Sequence, residues 1–421
     1  MVEARPPRPA LRGWLALTWA LQPVLPLLLR RRLGRGKEDE GRWREKLGHA
    51  SAPRPGGRLV WLHAVGLGEV LALRGLIARM ANLEPDLQFL VTSNTLGSAR
   101  ALARNMPPRT LHQFAPLDAP GPARRFLDHW RPDLSIWAEQ ELWPGLVFRA
   151  DRAGIPLALV NARMNDAALA RRQQVRAIYR DILPRFALVS AQDARSAANL
   201  ATLGAPTVRC DGSLKSIAPP LADDPAQRAL LGAGIGGRPL WLAASTHAPD
   251  EELVLAAQER LLARAAETLL ILAPRLPGRG EDVAAAIRTR GLKLARRSAG
   301  QAITSDTQVY LADTLGEMGL FYRLAPIAFI GGSMGAVEGH NPWEAAALGT
   351  AILHGPRLAN FAADYAALAD AQAAQLVDTP DALAEAVTDP DRAAMAGRAE
   401  ALVAANMDRL DALCQKLVDL V

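Results

Sequence analysis

Three kinds of residue in this chain sit where chemistry could use them: carboxylates just after apolar runs, cations at strand ends, and glycine-rich turns that open helices. Glu69 follows the loop Ala64-Val65-Gly66-Leu67-Gly68 and opens a helix. A carboxylate there can take a proton from a hydroxyl held within hydrogen-bond reach, which makes it a candidate general base. A purely local reading also stands, because acidic residues in a first helical turn are favoured by the helix dipole. Glu139 and Glu141 come directly after the apolar run Ile136-Trp137-Ala138, where charge is costly unless it is used or paired. Alternate residues of an extended segment share a side, so the two would form a carboxylate pair that holds an acceptor or orients Glu69; the other reading is a surface loop.

The second half of the chain offers seats for an anion. Ile330-Gly331-Gly332-Ser333-Met334-Gly335 leaves an apolar run, and His340-Asn341-Pro342-Trp343-Glu344 leads into a helix. Glycines let backbone N–H groups approach an anion, and a helix start adds partial positive charge, so the stretch suits a phosphate-bearing ligand. Such turns also serve purely structural ends, and only context makes them specific. Ser245-Thr246-His247 follows the apolar run Leu240 to Ala244 and precedes a helix, giving a second anion seat or simply an N-cap. Lys215 and Arg275 lie where strand ends are expected, and together would neutralise a phosphodiester. Gly316 and Glu317, in Asp313-Thr314-Leu315-Gly316-Glu317, would border the same crevice. Glu344 is placed to accept hydrogen bonds from a ribose, and His340 reads equally well as structural.

These residues need a frame that collects strand ends. Short apolar runs alternate with helical stretches, the pattern of parallel sheets covered on both faces. Strands are expected at Leu59 to His63, Phe89 to Thr92, Leu134 to Trp137, Leu157 to Val160 and Ala187 to Ser190. A second series is expected at Leu240 to Ala244, Leu269 to Ala273, Val309 to Leu311, Ile327 to Ile330 and Ala351 to Leu353. Two α/β, Rossmann-like doubly wound domains follow, facing a central cleft that takes ligand at the carboxyl ends of the strands. The expected segments are an anchor over 1–40, an amino-terminal domain over 41–210, a carboxyl-terminal domain over 211–395, and a last helix over 396–421 packing back on the first domain.

Bulk properties agree with a globular chain of this kind. Its 421 residues suit two domains, half of them are hydrophobic, and 22% are charged. Cys210 and Cys414 are far apart and lack a metal-binding spacing, which argues against a disulfide framework or a zinc site. The net charge of +6 favours anionic partners, while 5% aromatic content and the lack of a known basic module argue against nucleic acid. Much of the basic charge flanks an uncharged run, Gly13 to Leu29, with Arg5, Arg8 and Arg12 before it and Arg30, Arg31, Arg32, Arg35 and Lys37 after it. At about 1.5 Å per residue that run reaches roughly 25 Å, short of a ~30 Å hydrocarbon core, and Pro23 and Pro26 interrupt it. A membrane-associated helix on an anionic surface is expected, with packing on the protein's own core as the alternative.

Taken in order, these motifs resemble the 3-deoxy-D-manno-octulosonic acid (Kdo) transferases of lipopolysaccharide synthesis. The likeness covers nearly the whole chain. It is carried by the basic anchor, Arg42 to Gly48, His63 to Val70, Pro116-Leu117-Asp118, Glu139 to Pro144, Asn161-Ala162-Arg163 and Ser190-Ala191-Gln192. It continues with Ser245-Thr246-His247, Pro274-Arg275, Asp313 to Glu317, Gly331-Gly332-Ser333 and Gly339-His340-Asn341 with Glu344. The resemblance implies a GT-B fold and inverting transfer of Kdo from CMP-Kdo to a phosphorylated lipid A precursor at the cytoplasmic face of the bacterial inner membrane. It implies Glu69 as base with Glu139 beside it. CMP would be held by Ser245, Thr246, Arg275, Gly332, Ser333, Asn341 and Glu344, with Lys215 near the phosphate; Gly68, Glu141, Arg163, Gly316, Glu317 and His340 are further substrate-binding candidates. It implies no metal and no cofactor beyond the donor, since cations and helix starts would carry the charge. Gly66, Gly145, Leu276 and Glu338 stand where the family usually has serine, asparagine, histidine and glycine. Those departures keep two alternatives in view: a membrane-bound relative that binds a nucleotide sugar or lipid headgroup without transfer, and a sugar-nucleotide epimerase of the same plan.

Overall fold

A computed structural model of the chain describes residues 5–104, 106–139, 142–217 and 220–421. The chain divides into two compact units, Met1–Ala218 with Asn406–Val421, and Pro219–Ala405. The first unit holds strands β1 (Leu59–His63), β2 (Gln88–Ser93), β3 (Thr110–Phe114), β4 (Leu134–Ala138), β5 (Leu157–Ala162), β6 (Leu188–Ala191) and β7 (Arg209–Cys210). They form one parallel sheet in the order β3-β2-β1-β4-β5-β6-β7. The second unit holds β8 (Leu240–Thr246), β9 (Leu269–Pro274), β10 (Leu294–Arg296), β11 (Val309–Leu311), β12 (Ile327–Ile330), β13 (Ala351–His354) and β14 (Ala374–Leu376). Its parallel order is β10-β11-β9-β8-β12-β13-β14.

Strands buried on both faces must be apolar throughout, and alternate side chains of β1 enter opposite cores. Val60 and Leu62 pack with Val70, Leu73 and Ile77 of the helix Leu67–Leu83, and with Leu413, Cys414 and Leu417 of the last helix, Arg392–Val418. Leu59 and Trp61 pack with Phe126, Trp130 and Trp137 on the other face. In the second unit β8 divides in the same way, Leu242 and Ala244 to one core and Trp241 and Ala243 to the other. The sequence reading passes over β3, β7, β10 and β14, and those four are the sheet edges. Edge strands are short or half-wet, so they lack the continuous apolar run that betrays an interior strand; the first three residues of β3 are only partly buried.

The amino-terminal segment forms the helices Pro9–Leu21 and Leu25–Leu33, joined by the 3-10 turn Gln22–Val24. Pro23 and Pro26 sit in first-turn positions, where a missing N–H costs nothing, so they delimit the short elements. Among the described residues no helix is long and apolar enough to cross a membrane. The inner face of the segment is tied to the first unit: Leu11 and Leu29 are fully buried, Trp14 Nε1 donates to Asp118 Oδ2 at 2.8 Å, and Gln22 Oε1 accepts from Gly121 N at 2.6 Å. Its opposite face leaves Leu17, Leu21, Val24 and Leu28 about half exposed in one stripe. The structure shows packing on the protein's own core, the alternative to a membrane-associated helix, and leaves an apolar face exposed on the other side.

Candidate functional site

Each sheet reverses its winding between two neighbouring strands, β1 and β4 in the first unit and β8 and β12 in the second. In open α/β sheets that reversal leaves a crevice at the carboxyl ends, where ligands bind. Glu69 and Glu139 follow β1 and β4. Ser245 and Thr246 end β8 with His247 next, and Gly331 to Ser333 follow β12. These sequence candidates therefore lie at one switch point in each unit, while Arg163, Lys215, Gly316 and Glu317 follow other strands.

At the first switch point the Glu69 carboxylate reaches back over its own loop. Its Oε2 accepts from Val65 N at 2.9 Å and Gly66 N at 3.1 Å. This satisfies orphan N–H groups at the start of the helix, so the local reading of Glu69 holds for one oxygen. Oε1 takes no bond among the described residues, and the side chain is half exposed. Gly68, beside it, is exposed. Beneath the loop, His63 is buried, with Nδ1 at 2.9 Å from Thr92 Oγ1 and Nε2 accepting from Trp143 Nε1 at 3.1 Å. Burial pushes its pKa down to about 3, so it is a neutral strut that fixes Trp143 ahead of the helix Pro144–Arg152.

Glu139 ends β4 in the left-handed region with φ 62°, is buried, and donates its N–H to Val160 O at 3.1 Å. That backbone turn ends the extended stretch at Glu139, on which a same-side pairing with Glu141 rested; Glu141 itself lies outside the described residues. Arg163 is half-buried just past β5. Asn161, with φ 54°, accepts from Leu214 N at 2.9 Å and so holds the 3-10 turn Leu214–Ile217 at the end of β5. Lys215 rides on that turn. It belongs to the first unit, not to the second series where the sequence reading put it.

At the second switch point an internal carboxylate fills the seat that the sequence reading kept for a ligand. Asp250, fully buried in the first turn of the helix Ala248–Arg264, accepts from His247 N at 2.9 Å, Gly332 N at 2.7 Å and Met334 N at 3.0 Å. The Gly332 N–H is thus spent on Asp250 and is not offered to a phosphate. Its φ of 71° and the His340 ring, 2.8 Å from where a Cβ would stand, still demand glycine. The Ser333 hydroxyl also turns inward, donating to Ile330 O and accepting from Gly355 N. Thr246 is buried with its hydroxyl toward Glu251, which Arg279 clamps with two bonds of 2.8 Å. In this structure the Ser333 and Thr246 hydroxyls, expected from sequence to face a ligand, are thus engaged within the loop itself. The signal for Asp250 is its place three residues after His247, the spacing of a capping carboxylate.

What remains open at this point is a smaller set. Ser245 sits at a break in the β8–β9 register with φ 54°, a bulge that re-aims its side chain. Arg275 is tied by its backbone N–H to Thr246 O at 3.0 Å, and its exposed guanidinium has no side-chain partner among the described residues. His340 stacks on His247 with Nε2 to Nε2 at 3.0 Å. Burial, then Arg275 and His247, lower the His340 pKa to about 4, so it acts as a neutral hydrogen-bonding ring. Asn341 Oδ1 accepts from Trp343 N at 3.2 Å, at the start of the short helix that carries Glu344. Burial raises the Glu344 pKa, opposed by Asn341 and Arg275. Gly316 and Glu317 follow β11, two strands out from β8, and the Glu317 carboxylate is held by Arg297 and Thr314. That pairing makes Glu317 a brace of its own loop, in place of the crevice border expected from sequence.

Residues 41–218 match the family model described as 3-deoxy-D-manno-octulosonic-acid transferase (kdotransferase). A 3-deoxy-D-manno-octulosonic acid transferase of Bordetella pertussis is 35% identical, covering 82% of this chain and 83% of its own. The transferase of the same name from Haemophilus influenzae is 33% identical, covering 81% of this chain and 80% of its own. The chain belongs to the Kdo transferase family. A UDP-N-acetylglucosamine 2-epimerase from Neisseria meningitidis is similar at TM-score 0.53 and 13% identity, covering 83% of this chain and 99% of that one, which speaks to the fold alone.

Of the four positions expected from sequence to depart from the Kdo transferase pattern, the structure describes the local demands at three. Glu338 adopts φ 61°, a conformation natural to glycine that costs another residue about 1–2 kcal/mol. At Gly145 a Cβ would stand 2.6 Å from Asp118 Oδ1, so asparagine there requires that buried carboxylate to shift. Gly66 has φ −87° and ψ 163°, ordinary N-cap geometry that serine also adopts, so the glycine is tolerated there. Nothing in the structure explains the exposed Leu276.

Proposed function

We propose that the protein transfers Kdo from CMP-Kdo to a hydroxyl of a phosphorylated lipid A precursor in lipopolysaccharide biosynthesis, inverting the anomeric centre. The observation that carries the mechanism is the half-engaged carboxylate of Glu69. Oε2 is fixed by two backbone N–H groups, which locks the side chain, and Oε1 is left to accept the hydroxyl proton as the oxygen attacks the anomeric carbon. The bond from that carbon to the phosphate oxygen breaks, its electron pair leaves with CMP, and the phosphate needs no protonation to depart. In the second unit Arg275 supplies positive charge for the leaving phosphate, His340 and Ser245 supply neutral contacts, and Glu344 with Asn341 receives the ribose. Glu139, held in an unfavourable backbone conformation at the end of β4, helps to place the acceptor.

The amino-terminal segment attaches the enzyme to the cytoplasmic face of the bacterial inner membrane. Its exposed stripe Leu17, Leu21, Val24 and Leu28, with Arg30, Arg31 and Arg35 following, supports lying in the membrane surface rather than crossing it. Incubation of the protein with CMP-Kdo and a lipid A precursor is expected to release CMP and form the Kdo-bearing lipid. Release of CMP that does not depend on the lipid, or none at all, contradicts the assignment.

A further inference from the structure

A second polar concavity lies in the first unit, on the helix layer beside the amino-terminal segment. It is a groove of about 610 Å³ walled by three helical segments, with Trp19 and Gln22 from the first, Arg124 and Asp128 from the helix Pro120–Trp130, and Arg149 and Arg152 from the helix Pro144–Arg152. Spacings of three and four place each pair on one helical face, so all six side chains turn toward the same space. Three guanidinium groups meet one carboxylate there. Arg124 and Arg152 are exposed and have no partner among the described residues, whereas Arg149 spends one nitrogen on Gly145 O at 2.9 Å and its charge also faces the buried Asp118. The two unpartnered guanidinium groups, Arg124 and Arg152, repel one another across the groove, a cost that a bound anion relieves.

We infer that this groove is a binding site for a phosphomonoester carried by a membrane lipid. Charge complementarity favours a dianionic phosphomonoester over a singly charged diester, because attraction to the two free guanidinium groups scales with the charge of the ligand. The lipid source follows from the rim: Trp19 is 70% exposed, and Leu21 and Val24, about half exposed, continue the apolar stripe from it. A phosphate bound between the arginines would have its acyl chains directed along that stripe, with the indole of Trp19 at the boundary it favours. The groove thus turns general attraction to an anionic surface into recognition of one head-group type. The inference rests on the membrane attachment proposed above.

The test uses the full chain and titrates it with short-chain phosphatidic acid, short-chain phosphatidylglycerol and inorganic phosphate, alongside sedimentation with phosphatidylcholine vesicles that do or do not contain phosphatidic acid. The double variant Arg124→Gln/Arg152→Gln is compared with Arg171→Gln/Arg176→Gln, an equal charge change at exposed, unpartnered positions outside the groove. Short-chain phosphatidic acid is expected to bind the wild type more tightly than the other two probes. The groove variant is expected to lose roughly tenfold or more, as two arginines at about 1 kcal/mol each imply, and the control little. Equal losses in the two variants, no loss in either, or equal binding of inorganic phosphate would overturn the inference. Binding of the short-chain lipid without sedimentation on vesicles would instead leave the groove standing and remove the attachment.

Discussion

Glu69 and Asp250 occupy the same place in their two units. Each follows a strand at its sheet's switch point, lies three residues after the N-cap, and reaches back to the N-cap N–H. They differ in what is left over. Asp250 is fully buried and both its oxygens are engaged, by His247, Gly332 and Met334, whereas Glu69 is half exposed and engages one oxygen only. A buried carboxylate with several N–H partners is a structural anion that fixes a loop, and a carboxylate with one oxygen fixed and one free is pre-organised for proton transfer. The same helix-start device therefore serves shape in one unit and chemistry in the other.

Substitutions that keep shape but change basicity break the comparison most sharply. Glu69→Gln keeps an oxygen for Val65 and Gly66, so the melting temperature is expected to hold while kcat falls by roughly 10²–10⁴-fold, the usual worth of a general base. Asp250→Asn turns an N–H toward groups that already donate, and chemical denaturation is expected to show a loss of about 3 kcal/mol with weaker CMP-Kdo binding. If Asp250→Asn folds as well as the wild type, the contrast between the two carboxylates is lost.

Acid is the next lever, because each loop packs on a neutral imidazole, His63 in the first unit and His340 in the second. Their pKa values, about 3 and about 4, lie below the ordinary 6.5, so the unfolded chain takes up protons first as pH falls. Stability is expected to be full above about pH 6.5 and to decline between there and about pH 3, the His340 part levelling off near pH 4 and the His63 part near pH 3, read by melting temperature across that range. Gly145→Asn should cost about 2 kcal/mol by driving a side chain into Asp118, measured by urea denaturation. The smallest effect is a gain: Glu338→Gly relieves a left-handed backbone and should stabilise the second unit by about 1 kcal/mol, again by urea denaturation.

Much of this arrangement is legible in the sequence, for local reasons. Interior strands announce themselves as apolar runs, and the residues just after them are the candidates, which is how Glu69, Ser245 and Arg275 come to notice. The edge strands are not legible because their register is set by a neighbour and not by their own composition; β10 and β14 are three residues each. The glycine loop after β12 reads as a seat for an external phosphate because spacing reveals only near neighbours. Its occupant, Asp250, comes from 82 residues away along the chain. Lys215 was assigned to the wrong unit for the same reason, since Asn161, which holds its turn, is distant in sequence. The amino-terminal segment is a third case: hydropathy gives the run, but only the packed helix shows that one face is already used by Leu11 and Leu29.

The claim that Glu69 works through a free basic oxygen is tested most directly by chemical rescue of Glu69→Ala. Single-turnover Kdo transfer by that variant is measured with a series of small carboxylates added to the buffer. Transfer is expected to be nearly absent without them, to return on their addition, and to rise with the basicity of the carboxylate supplied. Transfer that stays near the wild-type rate in the variant, or that added carboxylates fail to restore while the fold is intact, would contradict the account.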